Sequence, residues 1–420
     1  MKTQLQMTEI CPIHNCTGCQ TCRLVCPQSA ITMLPDKEQG FLYPVIDKNL
    51  CTDCGKCIKH CPANHPIKPF EYQQKVYAGW IKKRKNRKFS TSGGLFVALA
   101  EYVLKEKGVV FGVEWDKSNY GAKHSYCEKI EEIYKYQGSK YIQSNIGNSY
   151  KDVKSFLDEG RLVLFSGTPC QVAGLKYYLN KDYDYLFTID LVCHGVPSSK
   201  VLWKEIEEVE RRHGVKLVNL RFRHKTPDQL YASMRYEFND GTVLMQSIFR
   251  SFFFRGFVNN YFLREACYNC KYSNTNRVGD ITLGDFWGYF PNKLKFYKYR
   301  EGVSLILINN KKGNALFNLV KHILKFEESD LSSAIRGNRN LQLPQIKPNN
   351  YYEFWHDFIK GYSMKELSDR YFPLIEIPSI SILRKIKFWL KLIFPKSLLN
   401  IAKQVQRFFK NQKNESSLDN

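Results

Sequence analysis

Cysteine spacing gives this chain its chemistry. Cys16-Thr-Gly-Cys19-Gln-Thr-Cys22-Arg-Leu-Val-Cys26-Pro27 is followed, after a spacer, by Cys51-Thr-Asp-Cys54-Gly-Lys-Cys57-Ile-Lys-His-Cys61-Pro62. Each half is a C-x2-C-x2-C-x3-C-P run. At that spacing three thiolates wrap one corner of a cubane iron–sulfur cluster, and the fourth cysteine reaches across to a second cluster. Cys16, Cys19, Cys22 and Cys61 would therefore hold one 4Fe–4S cluster, and Cys51, Cys54, Cys57 and Cys26 the other. The prolines turn the chain out of each loop, because proline fixes φ and cannot continue a helix. Paired zinc sites or disulfides would not call for two identical four-cysteine runs. The chemistry is electron transfer.

Six cysteines remain. Cys170, Cys193, Cys267 and Cys270 stand in motif settings: Ser166-Gly-Thr-Pro-Cys170, Cys193-His-Gly-Val-Pro197 and Cys267-Tyr-Asn-Cys270. Cys11 and Cys127 stand in none and read as buried thiols. Two small-residue turns could face an anion. Phe89-Ser-Thr-Ser-Gly-Gly94 follows the cationic stretch Lys82–Lys88 and leads into a helix. Such a turn offers backbone N–H groups to a phosphate, or simply caps a helix beside a solvated basic loop. Gln137-Gly-Ser-Lys-Tyr141 has the same character, with one lysine.

These residues need a scaffold, and the pattern around them is α/β. Leu95, Leu99, Tyr102 and Val103 recur at helical spacing before Gly108, and Val109–Trp115 reads as the strand that follows. Two strand–turn–helix units come next. Arg161–Phe165 leads into a helix over 171–179, with Pro169 suited to a first helical position, and Tyr185–Val192 leads into a helix over 199–212. This alternation predicts a mainly parallel sheet, with Cys170 and Cys193 just past strand ends, where open sheets place their sites. Leu217–Arg223 reads as a strand, and Met234–Phe238 with Thr242–Gln246 as a hairpin turning at Asp240-Gly241. Gly279-Asp280 and Gly284-Asp285 flank a short strand and suggest close packing against a ligand or cluster. Val303–Ile308 and a helix over 314–324 complete the pattern.

The 420 residues allow two or three domains. Residues 1–75 read as an α+β dicluster domain and 76–350 as an α/β domain. Residues 351–378 read as a helical extension and 379–420 as a basic amphipathic tail. Fourteen cysteines gathered in metal-type runs argue for a reducing cytoplasm rather than a disulfide framework. No charged-then-apolar leader and no membrane-spanning apolar run is present. The net charge of +23 invites nucleic acid, but no nucleic-acid-binding motif accompanies it, and no such partner is expected. The cations concentrate at Lys82–Lys88 and in the tail, which suits anionic cofactors and a membrane surface.

Ser90-Thr-Ser-Gly-Gly94, Gly138-Ser-Lys-Tyr141, Gly167-Thr-Pro-Cys-Gln171, Cys193-His-Gly-Val-Pro197, Cys267-x2-Cys270 and Asp280-Ile-Thr-Leu-Gly-Asp285 together resemble one family. It is the beta subunit of coenzyme F420-reducing hydrogenase and dehydrogenase, named for its deazaflavin. The N-terminal dicluster ferredoxin module is also an arrangement of that family. The resemblance implies a flavoprotein with FAD beside a third 4Fe–4S cluster, passing electrons between iron–sulfur carriers and an organic substrate. Carried over, Cys170, Cys193, Cys267 and Cys270 would hold that cluster. Ser92, Gly93 and Gly94 would lie along the FAD pyrophosphate, with Gly138, Ser139 and Lys140 nearby. His194, Arg223, Lys225 and Asp285 are the polar residues expected nearest the substrate. That substrate would be coenzyme F420 itself or, since relatives with the fused layout resemble members of surface-polysaccharide biosynthesis sets, a substrate of that kind. An electron-relay subunit docked on a partner enzyme is the alternative, and a redox-sensing regulator a third reading. A ferredoxin or other redox protein is the expected partner.

The tail carries its own signal. Ile382, Ile386, Trp389, Leu390 and Ile393 share one helical face, with Arg384, Lys387 and Lys391 elsewhere on the helix, and no acidic residue occurs between Arg384 and Lys413. An interfacial helix on anionic lipid fits this pattern, as does a docking helix for a protein partner. The lipid reading would make the chain a peripheral protein on the cytoplasmic face of the membrane.

Overall fold

A computed structural model of the protein describes residues 9–65, 67–225, 233–289 and 301–374. The amphipathic tail lies outside the described residues.

The two N-terminal cysteine runs fold as near repeats. In each, the backbone turns left-handed just before the third cysteine, at Gln20 (φ 65°) and at Gly55 (φ 68°). Those residues cap the short helices Thr21–Val25 and Lys56–Lys59. Between them, β1 (Ile31–Pro35) pairs antiparallel with β2 (Leu42–Ile46), Ile31 opposite Ile46.

Six strands follow: β3 (Lys75–Ile81), β4 (Val109–Asp116), β5 (Gly121–Cys127), β6 (Ser144–Asn145), β7 (Val163–Gly167) and β8 (Leu186–Leu191). Then come β9 (Leu217–His224), β10 (Ser233–Phe238) and β11 (Val243–Ser247), and finally β12 (Ile281–Asp285), β13 (Ser304–Ile308) and β14 (Leu324–Ser329). Strands β9 to β11 form a separate antiparallel sheet that includes the hairpin at Asp240-Gly241. The other nine make one sheet in the order β14-β3-β13-β12-β8-β7-β4-β5-β6. Its centre, β12-β8-β7-β4, is parallel, as is the short β5-β6 pair. The pairs β4-β5, β12-β13, β13-β3 and β14-β3 are antiparallel. A mainly parallel sheet was expected, and the sheet is instead mixed. The reason is connection length. Parallel pairing needs a crossover, which the helix Pro169–Leu179 provides between β7 and β8, whereas the turn between β4 and β5 is too short for one.

Alternation along the central strands separates two cores. Val110 and Leu164 pack with Leu95, Leu99 and Val103 of the helix Leu95–Lys105 on one face. Val109, Phe111, Val163 and Phe165 pack on the other with Tyr150 and Val153 of the helix Ser149–Asp158 and Val172 of Pro169–Leu179. Leu24, from the first cluster helix, joins this second core, so the dicluster module is seated on the sheet's helical layer. A third core gathers the β9–β11 sheet and the helices Ser199–His213, Phe252–Val258, Tyr351–Ile359 and Met364–Tyr371. The described residues up to Pro373 form one compact unit.

Candidate functional site

The eight N-terminal cysteines converge as two sets. Cys26, Cys51, Cys54 and Cys57 line one cavity; Cys16, Cys19, Cys22 and Cys61 line another. Cys54 is exposed, whereas the four cysteines of the second set are buried. One set therefore opens to solvent and the other faces inward. Cys11 is buried, as expected of a spare thiol, but it lies within hydrogen-bonding reach of Cys16 and Cys61. Cys127 is buried in β5.

Cys170, Cys193, Cys267 and Cys270 line a third cavity. Cys170 is the second residue of the helix Pro169–Leu179, whose start is fixed by Pro169 and a reciprocal Thr168–Gln171 cap. Cys193 lies just past β8. A buried ion pair ties these arms together: Arg277 stands 3.3 Å from Asp190 and donates to the carbonyls of Tyr272 (2.7 Å), Asn274 (3.2 Å) and Leu191 (2.9 Å). The loop after Cys270 is thereby fastened to the strand leading to Cys193. The Cys267 thiol accepts from the Val196 N–H (3.3 Å), and the Thr168 hydroxyl lies 3.1 Å from the Cys170 sulfur. Burial pushes the Cys170 and Cys193 thiols up to about 12, and neighbouring cysteines add to the effect. Four thiols that repel one another when ionised suit a cationic iron–sulfur core that stabilises them together. Among the described residues, no three His, Cys, Asp or Glu side chains are placed to hold a single metal ion.

Beside this set opens a cavity of about 300 Å³, lined by Ser92, Gly94, Gly138, Ser139, Lys140, Cys193, His194 and Asp285 among others. Its walls are largely apolar, with Phe96, Tyr136, Ile142, Phe257 and Leu283. The two small-residue turns meet here, the Ser139 N–H donating to the Thr91 hydroxyl at 2.7 Å. Gly94 (φ 85°) caps the helix Leu95–Lys105, so the helix's unpaired N–H groups face the cavity. Gly138 (φ 87°) has no atom within 4 Å of where a side chain would start, leaving its backbone open to a ligand. The Lys140 ammonium donates to the carbonyls of Lys135 (2.9 Å) and Gln137 (3.4 Å); burial, with Arg221 nearby, lowers its pKa to about 7.

Other expected site residues have different surroundings. Gly93 packs its turn onto the sheet: a Cβ there would stand 2.3 Å from the Gly79 carbonyl. Lys225 lines a neighbouring groove and spends its ammonium on the carbonyls of Ser92 (2.7 Å), Glu301 (2.8 Å) and Arg87 (3.2 Å), bracing the turn. His194 has both nitrogens engaged. The Gln345 amide donates to Nδ1 at 3.0 Å, so Nε2 carries the proton and donates to the Phe257 carbonyl at 3.2 Å; burial lowers its pKa and keeps it neutral. Asp285 is ion-paired with Arg223, which also donates to the Tyr141 hydroxyl (3.1 Å) and lies over the Trp287 ring. Asp280 accepts from Thr188 and Asn310 inside the sheet and lines none of these cavities. The groove beside Lys225 has a volume of about 390 Å³, shares Gln137 to Lys140 with the first cavity, and carries Lys88, Lys117, Arg221 and Arg223 against Glu114. Sequence reasoning missed Gln143, which lines the first cavity, and Arg264, which lines that of the later cysteines; both bond the loop of the inner ferredoxin set, and no local motif marks either residue.

Sequence models described as coenzyme F420 hydrogenase/dehydrogenase, beta subunit, match residues 76–150 (N-term) and 160–334 (C terminus). Models of 4Fe–4S dicluster domains match residues 15–65 and 43–92. The coenzyme F420-dependent sulfite reductase of Methanocaldococcus jannaschii is 21% identical over 428 residues, covering 95% of this chain. The chain spans 60% of that relative's length. One component of the Na(+)-translocating ferredoxin:NAD(+) oxidoreductase complex of Acetobacterium woodii is 43% identical over 49 residues, 12% of this chain and 13% of its own. A ferredoxin-like protein in the vnf region of Azotobacter chroococcum is 33% identical over 63 residues, 14% of this chain and 88% of its own. Among solved structures, the F420-reducing NiFe hydrogenase complex from Methanosarcina barkeri aligns with a TM-score of 0.43 and 17% identity, over 65% of this chain and 93% of that one.

Proposed function

Because this chain belongs to the coenzyme F420 hydrogenase/dehydrogenase beta subunit family and carries a 4Fe–4S dicluster domain, we propose that it is an iron–sulfur flavoprotein oxidoreductase. It couples single-electron carriers to two-electron chemistry on an organic substrate. One observation supports this most. The cysteine sets and the apolar cavity adjoin in sequence: Thr17 lines both the inner ferredoxin cavity and that of the later cysteines, and Cys193 to Val196 line both the latter and the 300 Å³ cavity.

Cys170, Cys193, Cys267 and Cys270 would hold a third 4Fe–4S cluster, for which their mutual repulsion suits them. Ser92, Gly94, Gly138, Ser139 and Lys140 would hold the FAD phosphates, and the apolar wall its ring system. Bound there, the flavin supplies the exchange between single electrons and electron pairs. The protein's residues do the rest. Lys225 braces the first turn and Thr91 joins it to the second, the apolar wall excludes water, and neutral His194 keeps a fixed edge beside Cys193. Asp285 and Arg223 present a paired polar surface at the mouth. The basic groove next to them suits an anionic substrate, either coenzyme F420 or a substrate of surface-polysaccharide biosynthesis. Electrons enter from a ferredoxin or other redox protein at the exposed Cys54 set. Among the described residues, no helix is long and apolar enough to cross a membrane; the tail's sequence pattern suits peripheral attachment to anionic lipid.

Anaerobic reduction of the full chain by a reduced ferredoxin tests the reading. Flavin absorbance should bleach in the native protein. In Cys193→Ser the N-terminal clusters should still reduce while bleaching slows sharply. A protein with full iron but no flavin would leave the electron relay as the better reading.

A further inference from the structure

Arg264 is the bulkiest fully buried side chain among the described residues, 1% exposed. Its guanidinium donates to the carbonyls of Cys16 (3.1 Å) and Leu42 (2.9 Å) and to Gln143 Oε1 (3.0 and 3.2 Å). It also lies over the rings of Tyr43 (4.7 Å) and Phe41 (5.0 Å). Every one of these partners is neutral. The adjacent carboxylate, Glu265, is paired with Lys347 at 2.5 Å. A buried cation with only neutral partners is costly, because hydrogen bonds and ring faces replace only part of its lost hydration. The compensating charge must come from what surrounds the guanidinium: it donates to the Cys16 carbonyl in the loop of the inner cysteine set, and Arg264 also lines the cavity of the later cysteines.

The fit around it is tight. A side chain at Gly18 would begin 2.7 Å from the Arg264 Nη2 atom, so glycine makes room for the guanidinium. Gln143 accepts from Arg264 while donating to the carbonyls of Thr17 (2.9 Å) and Gly18 (3.3 Å). Arg264 and Gln143 thus hold the Cys16–Gly18 backbone between them. The outer set opens to solvent at Cys54, where water screens any charge.

We propose that Arg264 is the built-in counter-charge of the inner ferredoxin cluster and raises its reduction potential relative to the outer one. An electron that enters at the exposed cluster then moves inward: the outer cluster is oxidised, the inner one reduced, and no proton is required. A fixed cation in a poorly screened interior favours the more negative, reduced form of a cluster. Arg264 acts through the cluster's environment and is a positioning residue. The inference rests on the dicluster domain and on the two residues, Arg264 and Gln143, that brace its loop, independent of any flavin.

Redox titration of the anaerobic full chain, followed by electron paramagnetic resonance, tests it with three variants. Arg264→Met removes the charge. Gln143→Glu leaves the guanidinium in place and supplies a carboxylate beside it. Arg264→Lys keeps the charge without the fork. At the potential where the native inner cluster is half reduced, the first two should lower its reduced-to-oxidised ratio by about tenfold or more, and the lysine variant by about twofold at most. The outer cluster should titrate as in the native protein. Chelating the iron should also lower the melting temperature of the native chain more than that of Arg264→Met, because only the native chain is left with an uncompensated buried charge. Unshifted titration in Arg264→Met with full iron overturns the proposal, as does an equal shift in Arg264→Lys. If Arg264→Met does not retain iron, Gln143→Glu decides, and an unshifted inner cluster there overturns it.

Discussion

Replacing Arg277 with methionine should remove one iron–sulfur centre and leave two. The guanidinium stands 3.3 Å from Asp190, with side chains 1% and 0% exposed, and donates to three carbonyls on two segments, Tyr272 and Asn274 on one and Leu191 on the other. Those segments carry Cys270 and Cys193. Removing one partner of a buried pair costs about 3–5 kcal/mol, chiefly because the other charge stays buried. Asp190 would keep the N–H groups of Val278 and Gly279, both at 3.1 Å, which offsets part of that loss. At roughly 2 °C per kcal/mol for a large domain, the melting temperature should fall by about 6–10 °C. Iron after anaerobic preparation should fall from about twelve atoms per chain to about eight, at four per cubane. The double variant Arg277→Met with Asp190→Asn should recover part of the stability. Full iron with an unchanged melting temperature in Arg277→Met would refute the reasoning. So would iron lost from the N-terminal clusters in place of the third.

The Lys140 ammonium, with its pKa lowered to about 7, is charged mainly below that pH, and a bound phosphate would restore its proton. Flavin affinity should therefore weaken as pH rises from about 7 to 9, by at most about tenfold per unit for one proton, while Lys140→Met binds more weakly with a flat profile; a flat native profile would contradict this. Gly93→Ala should destabilise the fold by about 1–3 kcal/mol, since its Cβ would meet the Gly79 carbonyl at 2.3 Å. Flavin should be lost there only in proportion to unfolding, and the result to watch for is a stable Gly93→Ala protein without flavin. For the tail, full-length protein should sediment with anionic vesicles at low salt and a chain ending at Pro378 should not, since clustered cations contribute on the order of 1 kcal/mol each. Equal sedimentation would make the tail a partner-binding element.

Legibility in the sequence followed the range of the interactions involved. The cysteine runs are local, so spacing was enough to read them. The β7–helix–β8 unit is also contiguous, and Pro169 marks its helix start. Strand β5, Gly-Ala-Lys-His-Ser-Tyr-Cys, has little β-branched content and forms because β4 pairs with its full length. Strand β14 is an edge strand buried only at Leu324 and Glu327, and its polar residues hid it behind the preceding helical pattern. Lys225 and Gly93 looked like substrate and phosphate residues because sequence shows residue type but not which carbonyl a side chain or turn will meet. Their partners lie on β3, on β13 and around residue 301. Arg264 was invisible for the same reason: it reaches Cys16 across 248 residues.

The central claim is a row of three clusters ending at a flavin, and its most direct test is stoichiometry. Protein purified without oxygen should contain about twelve irons, about twelve labile sulfides and one noncovalent flavin per chain. Eight irons and no flavin would contradict the account, leaving Cys170, Cys193, Cys267 and Cys270 as ordinary thiols beside an apolar cavity.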